Sequence, residues 1–427
     1  MNVVTLLFGT FGLMLLLGAP ITLALGVASM SALYFLGNDL VYLVQVAYTS
    51  VDSFPIMALP AFILAGALME YSGISKRLVN VAEALAGPAT GGLASATVLA
   101  CLFFGAISGS GPATTAAVGM LMIPAMIRRN YDKGYASAIT ASSGGLGVVI
   151  PPSIPMVIYG VSGNQSIAKL FIAGFIPGII IAGSLMAVNY YLCRKKGYTG
   201  SGHKWSAGVL GKAIKDGVWS MMAPVVILGG IYTGFFTPTE AAVVAIFYTL
   251  FVGIFIHKEL RWNGCAKSLE ACTWLTGRVL LIMFTARAFG RLLVQYRIPE
   301  IIANALLAMT SNVYIILALI IAFLMFVGMF MVTLATIMIL TPVLLPVVTK
   351  LGVDPIHFGI ILVCCCEIGF ETPPLGENLF IASGIADTSI EDISLKAIPF
   401  SIVEISAVFL IAYVPAISLW LPGLLGY

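Results

Sequence analysis

Residues 144–153 read GGLGVVIPPS, and residues 366–375 read CEIGFETPPL. The two stretches lie 222 residues apart, and the same offset pairs Thr114 with Thr336, Pro124 with Pro346, Asp132 with Asp354, Ile139 with Ile361 and Gly147 with Gly369. Each Pro-Pro pair follows its upstream proline by 27 residues. Proline lacks a backbone donor and clashes with the preceding turn, so each motif interrupts a helix. Inside a bilayer an interrupted helix survives only where protein or water surrounds the freed backbone groups. A matched pair of Gly/Pro-broken apolar segments, one per half, points to the central site of a secondary transporter. A simple kink accounts for either segment alone, but the second copy at the same spacing counts against it.

The rest of the chain supplies the membrane context. Of 427 residues, 60% are hydrophobic and 9% charged, against roughly 25% charged in a soluble domain. Mean hydropathy is +1.06. No soluble core hides that much apolar surface, so the fold class is all-α integral membrane, with lipid as surroundings. The length allows about ten spanning helices at ~20 residues each. The net charge of +3 matters less than its placement. Lys76-Arg77, Arg128-Arg129 with Lys133, Arg194-Lys195-Lys196, and the stretches Lys204 to Lys215 and Lys258 to Lys267 fall between apolar runs and mark cytoplasmic loops. No basic pattern suggests nucleic acid as a partner. Cys364-Cys365-Cys366 sits in an apolar run without metal-ligand spacing and reads as packing. Residues 1–17 lack a charged start and a cleavage site and read as a first span.

Spans are predicted at 3–17, 21–36 and 56–71, followed by an amphipathic interfacial helix at 75–86. Residues 92–127 are apolar, broken by Ser108-Gly109-Ser110-Gly111-Pro112, and carry basic clusters at both ends. Both ends on one side mean a re-entrant hairpin, not a crossing. A broken span at 135–160 and a long span at 167–193 complete the first half. The second half repeats the order: spans at 218–235, 241–256 and 273–293, an interfacial helix at 297–309, a hairpin at 315–348, a broken span at 358–381, and a last span at 398–421. Early positions match loosely, as in Pro20 with Pro238, Gly66 with Gly290 and Tyr71 with Tyr296. Residues 1–205 and 206–427 are therefore two repeats, joined through a polar linker at 194–215. Five crossings plus a hairpin per half make the repeat inverted and place the N-terminus in the periplasm.

Each hairpin tip and its broken span, packed together, would form an oxygen-lined cation site. The freed carbonyls and hydroxyls are hard ligands for a small alkali ion, and freed N–H groups at helix starts suit an anion. Candidate Na⁺ ligands are Ser108, Ser110, Gly145, Gly147, Val148 and Pro151 in the first half. In the second half they are Gly328, Thr333, Thr336, Gly369, Thr372 and Leu375. A small-residue packing face is the competing reading of the first tip. Substrate candidates between the sites are Thr114, Pro152, Arg287, Glu367, Glu371, Pro374, Glu377 and Asn378.

Four runs carry a resemblance: GAISGSGPATTAAVG at 105–119, IPPSIPMVIYG at 150–160, FTPTEAA at 236–242 and TPPLGENLF at 372–380, with Leu59-Pro60-Ala61-Phe62 before Ala65-Gly66. The chain resembles, nearly end to end, the large membrane subunit of tripartite ATP-independent periplasmic (TRAP) transporters. The resemblance implies a sodium-coupled elevator importer of the ion-transporter superfamily in the bacterial inner membrane, with Na⁺ as the coupling ion. It implies two partners: a periplasmic substrate-binding protein and a small four-helix membrane subunit, expected as a separate chain. The passenger is expected to be a small organic acid or zwitterion. A stand-alone sodium- or proton-coupled transporter of the same superfamily is the alternative. The motifs H-E-x-x-H and G-x-S-x-G are absent, so no enzyme is expected.

The chain departs from the resemblance at Val332, where an Asp is common, and at Glu367 and Glu371. These acids, with Glu377, point away from an acidic sugar or dicarboxylate. Membrane acids are functional hypotheses by default; here they line the cavity, ligate a cation, bind the positive group of a zwitterionic or cationic solute, or serve as structural groups that pair with Arg287 or cap a broken helix. Arg287 either holds a substrate carboxylate or meets a glutamate, Arg291 snorkels, and Glu240, Asp132 and Asp354 cap helices. His203, His257 and His357 lie at loops or span ends without a catalytic pattern.

Overall fold

The computed structural model describes residues 3–37, 39–52, 54–200, 205–310, 312–374 and 376–427. Among them it contains helices and no strands. The first half holds α1 (Val3–Leu16), α2 (Ile21–Phe35), α3 (Val41–Val51), a 3₁₀ turn at Phe54–Met57, α4 (Ala58–Tyr71), α5 (Ile74–Ala86), α6 (Gly92–Ser108), α7 (Gly111–Arg128), α8 (Lys133–Gly144), α9 (Leu146–Val149), α10 (Ile154–Gly163) and α11 (Ile167–Lys196). The second holds α12 (Ala207–Tyr232), α13 (Pro238–Phe251) with a π-helical turn at Val252–Ile256, α14 (Trp262–Gln295), α15 (Ile298–Met309), α16 (Val313–Gly328), α17 (Thr333–Lys350), α18 (Pro355–Gly369), α19 (Glu377–Ala386), α20 (Ile390–Tyr413) and α21 (Ala416–Leu424). Among the described residues, six helices are long and apolar enough to cross a membrane, and up to eight spans result if each of two bent pairs counts as one.

Local chemistry sets the boundaries. Asp132 caps α8 by accepting from the Tyr135 N–H at 2.9 Å. At the matching position, Asp354 caps α18 through Ile356 N–H at 2.8 Å and His357 N–H at 3.1 Å. Thr237 and Glu240 form a capping box at the start of α13. Ser110 caps α7 with Pro112 in its first turn, and the preceding Gly109 takes a left-handed φ of 63° that closes the tip. Between α9 and α10, Pro151 and Pro152 bring no N–H groups, and the α8–α9 and α10 segments bend by 42°. Both Pro-Pro peptide bonds are cis.

Two glycine contacts hold the hairpins on the broken spans. A Cβ on Gly105 of α6 would lie 2.8 Å from Gly147 Cα. A Cβ on Gly369 of α18 would lie 2.5 Å from the Gly328 carbonyl oxygen of α16. Backbones therefore meet at the same place in both halves, which small residues alone permit. The halves also interlock. Helix α10 packs on α17 of the second half, and α19 packs on α7 of the first. Tyr159 of α10 donates to the Pro355 carbonyl at 2.6 Å and lies against Gly359.

Three features differ from expectation. Helix α3 was not anticipated; residues 37–55 mix apolar with Asn, Asp, Gln, Thr and Ser and give no clean period. At about the repeat offset, α3 and α4 together correspond to the single long α14. The last span is not continuous, because Pro415 separates α20 from α21. The amphipathic helix at 74–86 buries Leu78, Val79, Val81 and Ala82 against α6 and α12. Protein, not the lipid interface, covers that face, and Arg77 pairs with Glu259 at 2.8 Å. Of the polar linker, residues 201–204, His203 among them, lie outside the described residues.

Gly105→Val drives a branched side chain into the Gly147 backbone. The expected cost is about 1–3 kcal/mol of overpacking, read as a lower thermal midpoint of the purified protein. Gly9→Ala, with open space around its Cβ, should leave the midpoint unchanged or slightly raised.

Candidate transport site

At the first tip, Ser108 is 3% exposed and its hydroxyl lies 2.8 Å from Thr114 Oγ1. Thr114 Oγ1 also lies 2.8 Å from the Ser110 carbonyl, one turn back. The Gly109 carbonyl accepts from Ile154 N–H at 3.1 Å, tying the tip to the start of α10. Ser153 caps α10, and its hydroxyl donates to the Val148 carbonyl at 2.5 Å. Gly147 lies directly under the tip: a Cβ there would meet Thr114 Oγ1 at 2.3 Å and the Ser110 carbonyl oxygen at 2.7 Å. Gly145, Gly147, Val148, Pro151 and Pro152 are all buried, and a Cβ on Gly109 would meet the Pro152 carbonyl oxygen at 2.8 Å. Of the first candidate set, Ser108, Ser110 and Gly147 therefore lie together at the tip, whereas Gly145 faces Glu367. The carbonyls of Gly145 and Val148 are already engaged, the former by Val148 N–H at 2.9 Å.

The second tip repeats the pattern with different atoms. Thr336 Oγ1 donates to the Val332 carbonyl at 3.3 Å, matching Thr114 on Ser110. Thr333 Oγ1 reaches the Cys366 carbonyl of α18 at 3.5 Å. Thr372 Oγ1 donates to the Ile368 carbonyl at 2.7 Å. A hydroxyl that donates its proton backwards keeps its lone pairs for a cation. Gly328, Thr333, Thr336 and Gly369 are buried; Thr372 is partly buried and Pro373 and Pro374 are exposed. Leu375 lies outside the described residues. The second break is thus the more open of the two.

Between the tips the broken spans meet. Glu371 accepts a hydrogen bond from Ser142 of α8, and Asn378 Nδ2 donates to the Ala141 carbonyl at 3.0 Å. Glu367 lies against Gly145. Glu367 and Glu371 are 2% and 3% exposed, and among the described residues neither makes an ion pair. The structural pairing with Arg287 is not formed. Arg287 instead donates to the Val161 carbonyl of α10 at 3.1 Å. It lines a cavity of about 350 Å³ with Arg291, Thr49, Ser162, Gly290 and Pro342. Arg291 also lies over the Tyr42 ring at 5.9 Å. Glu377 opens α19 and is partly buried. A larger cavity of about 610 Å³ lies between α5 and α12, and no tip residue lines it.

Several polar residues of the centre were not singled out from sequence: Thr115, Ser142, Ser153 and Glu404. Serine and threonine are common in membrane helices, and only the fold shows which ones face the breaks. Glu404 of α20 is fully buried, with neither carboxylate oxygen hydrogen-bonded; its place in an apolar run was the available signal. His357 is buried in the first turn of α18, where Nε2 lies 3.1 Å from the Ala412 carbonyl. The three adjacent cysteines are free and buried, as packing residues are.

The fold and sequence have close counterparts. A transporter from Alcanivorax borkumensis, YdaH, superposes with a TM-score of 0.64 over 90% of this chain and 89% of that one, at 15% identity. MtrF of Neisseria gonorrhoeae gives 0.61 over 89% and 84%, also at 15% identity. In sequence, the isethionate TRAP transporter permease protein DctMQ of Oleidesulfovibrio alaskensis is 45% identical over 98% of this chain, which spans 66% of that longer protein. The C4-dicarboxylate TRAP transporter large permease protein DctM of Rhodobacter capsulatus is 35% identical over 99% of both chains. The sialic acid large permease SiaM of Vibrio cholerae is 35% identical over the same shares. Residues 8–417 match the model of the tripartite ATP-independent periplasmic transporter, DctM component. The chain is therefore a multi-pass membrane permease, not an enzyme, and it belongs to the DctM family of TRAP transporter large subunits.

Proposed function

We propose that the chain is the sodium-coupled importing subunit of a binding-protein-dependent system in the inner membrane, working as an elevator. The observation that carries this reading is the repeated contact of a hairpin tip with a broken helix, Gly105 on Gly147 and Gly328 on Gly369. Each contact gathers backbone carbonyls with hydroxyls whose lone pairs point outward, a ligand set for a dehydrated alkali ion. The two halves are read as inverted in the membrane. The hairpins and broken spans form the moving body, and α1, α2, α4 and α12–α14 form the scaffold. Glycines at the scaffold surface support this division. Gly66 of α4 meets the Ser108 backbone at 3.2 Å, and its counterpart Gly290 of α14 meets Pro342 at 2.9 Å. Smooth contacts of this kind favour sliding over locking.

The passenger is a small organic anion. The two arginines of the 350 Å³ cavity lie where α14 faces α10 and α17, between the proposed scaffold and the proposed moving body. The relative named for isethionate, a compact sulfonate, fits a cavity of that size and charge. A periplasmic binding protein delivers the anion, and a small membrane subunit completes the complex.

Uptake into liposomes holding this subunit and its membrane partner should require both an inward Na⁺ gradient and the loaded binding protein. Accumulation without the binding protein would instead identify a stand-alone transporter. Thr372→Val and Ser108→Ala should each raise half-saturating Na⁺ about tenfold, the ~1.4 kcal/mol of one lost oxygen ligand; unchanged Na⁺ activation in both refutes the tip sites. Arg287→Gln should raise KM for the anion about ten- to hundredfold, as loss of a charged hydrogen bond does. Unchanged KM with normal expression removes Arg287 from the substrate path.

A further inference from the structure

At the repeat offset, α15 of the second half corresponds to α5 of the first, and the two are packed differently. Helix α5 lies on α6 and α12 and buries Leu78, Val79, Val81 and Ala82. Helix α15 lies on α17 and α14, and its Ile302 and Leu306 line a cavity of about 480 Å³. The other walls come from α1, α14, α16 and α17, and every lining residue is apolar. Phe289 of α14 forms one wall, its ring centroid 6.0 Å from that of Phe8 and 5.4 Å from that of Phe11. Val327 and Met331 close the inner end, beside the second hairpin tip. Phe8 of α1 and Phe323 of α16 line the cavity yet are 44% and 46% exposed, so it opens sideways between these helices.

An apolar cavity does not hold water, and an empty one forfeits the contacts of its lining atoms. In the first half, protein takes up the corresponding room. In the second half the surrounding medium remains, and at this depth it is hydrocarbon. Along α16 the lining runs from Leu319 to Val327, ~12 Å at the helical rise. A spanning helix of a partner subunit needs a seat along the whole ~30 Å core, whereas one acyl tail fits within the shorter length. The outer end carries a charge. Lys350 ends α17 on the stripe of Leu340 and Val343, two turns or ~10 Å beyond Val343. Its ammonium lies 3.2 Å from Asn304 Oδ1 of α15, and among the described residues it has no acidic partner. An apolar slot with an unpaired cation at its surface end matches the two ends of a phospholipid, tail and phosphate. We infer that the second half holds one phospholipid, its acyl tail in this cavity and its phosphate on Lys350. The lipid takes the place that α5 fills with its own side chains in the first half. The site needs neither Na⁺ nor passenger, so it goes beyond the sodium-coupled reading and stands or falls apart from it.

The test counts lipids. Native mass spectrometry of the purified permease, taken through a graded detergent wash, reports the phospholipids it keeps. The unaltered chain should keep one phospholipid that Leu340→Trp, which fills the cavity, loses. Leu281→Trp, at a position of α14 that is 60% exposed and outside the cavity, should keep it. Lys350→Glu should weaken retention about tenfold, as loss of one charged contact does. Equal retention in the unaltered chain and Leu340→Trp overturns the inference. Retention indifferent to Lys350→Glu overturns the phosphate contact. A small membrane subunit that Leu340→Trp releases, with no change in lipid count, overturns the lipid and makes the cavity the partner's seat. If Leu340→Trp does not fold, Leu306→Trp on α15 reads the same cavity. A lipid count that follows these variants while uptake ignores Na⁺ refutes the coupling and leaves the lipid site standing.

Discussion

A broken helix in a membrane must hide its unpaired backbone groups from lipid. That constraint organises the molecule. Pro151-Pro152 and Pro373-Pro374 each remove two donors from the middle of an apolar segment, and the freed groups need partners that only other protein segments supply. The first break takes one from the hairpin tip, the Gly109 carbonyl on Ile154 N–H, and one from within itself, the Ser153 hydroxyl on the Val148 carbonyl. The second takes fewer, and Thr372 turns back on Ile368. Helix α6 packs on α8, and α16 on α18, around these points. The glycines at 105, 147, 328 and 369 are consequences of the same demand, because backbone can cover backbone only where no side chain stands between.

The devices were legible in the sequence because each is punctuated by residues with strong local meaning. Proline, glycine and Asp or Ser caps mark the hairpin tips, the breaks and the starts of α7, α8 and α18 to within a few residues. The identical spacing in the two halves then ties tip to break without any structure. Less was legible where packing decides. Helix α3 has polar residues along its length and forms against α14. The amphipathic α5 looks interfacial because hydrophobic periodicity records that one face is buried, not whether lipid or protein buries it. The break at Pro415 was missed because its apolar flanks read as one span.

The candidate site divides along the same line. Positions that act through backbone or short hydroxyls near a glycine could be named from spacing, and the fold brings Ser108, Thr114, Gly147 and Val148 to one place. Side chains that meet across the halves could not. Glu371 and Ser142 lie 229 residues apart in sequence, and no local pattern predicts their contact. Arg287 was the nearest cation to propose for the buried acids, but α14 points it to Val161 and into a cavity of its own. Charge complementarity in sequence is no guide to partnership when helices fix which faces meet.

The interlocking of the halves bears on how the permease moves. If α10 packs on α17 and α19 on α7, neither repeat can shift alone without exposing both breaks at once. The four hairpin helices and the two broken spans are thus packed into one interlocked body, which α4 and α14 meet through glycine-faced contacts. A buried pair of acids, Glu367 and Glu371, lies within that body, with Gly145 and Ser142 against them. Glu371 meets Ser142 of the other half there, so the acids belong to the contact that joins the two broken spans and not to a lining added to a finished cavity.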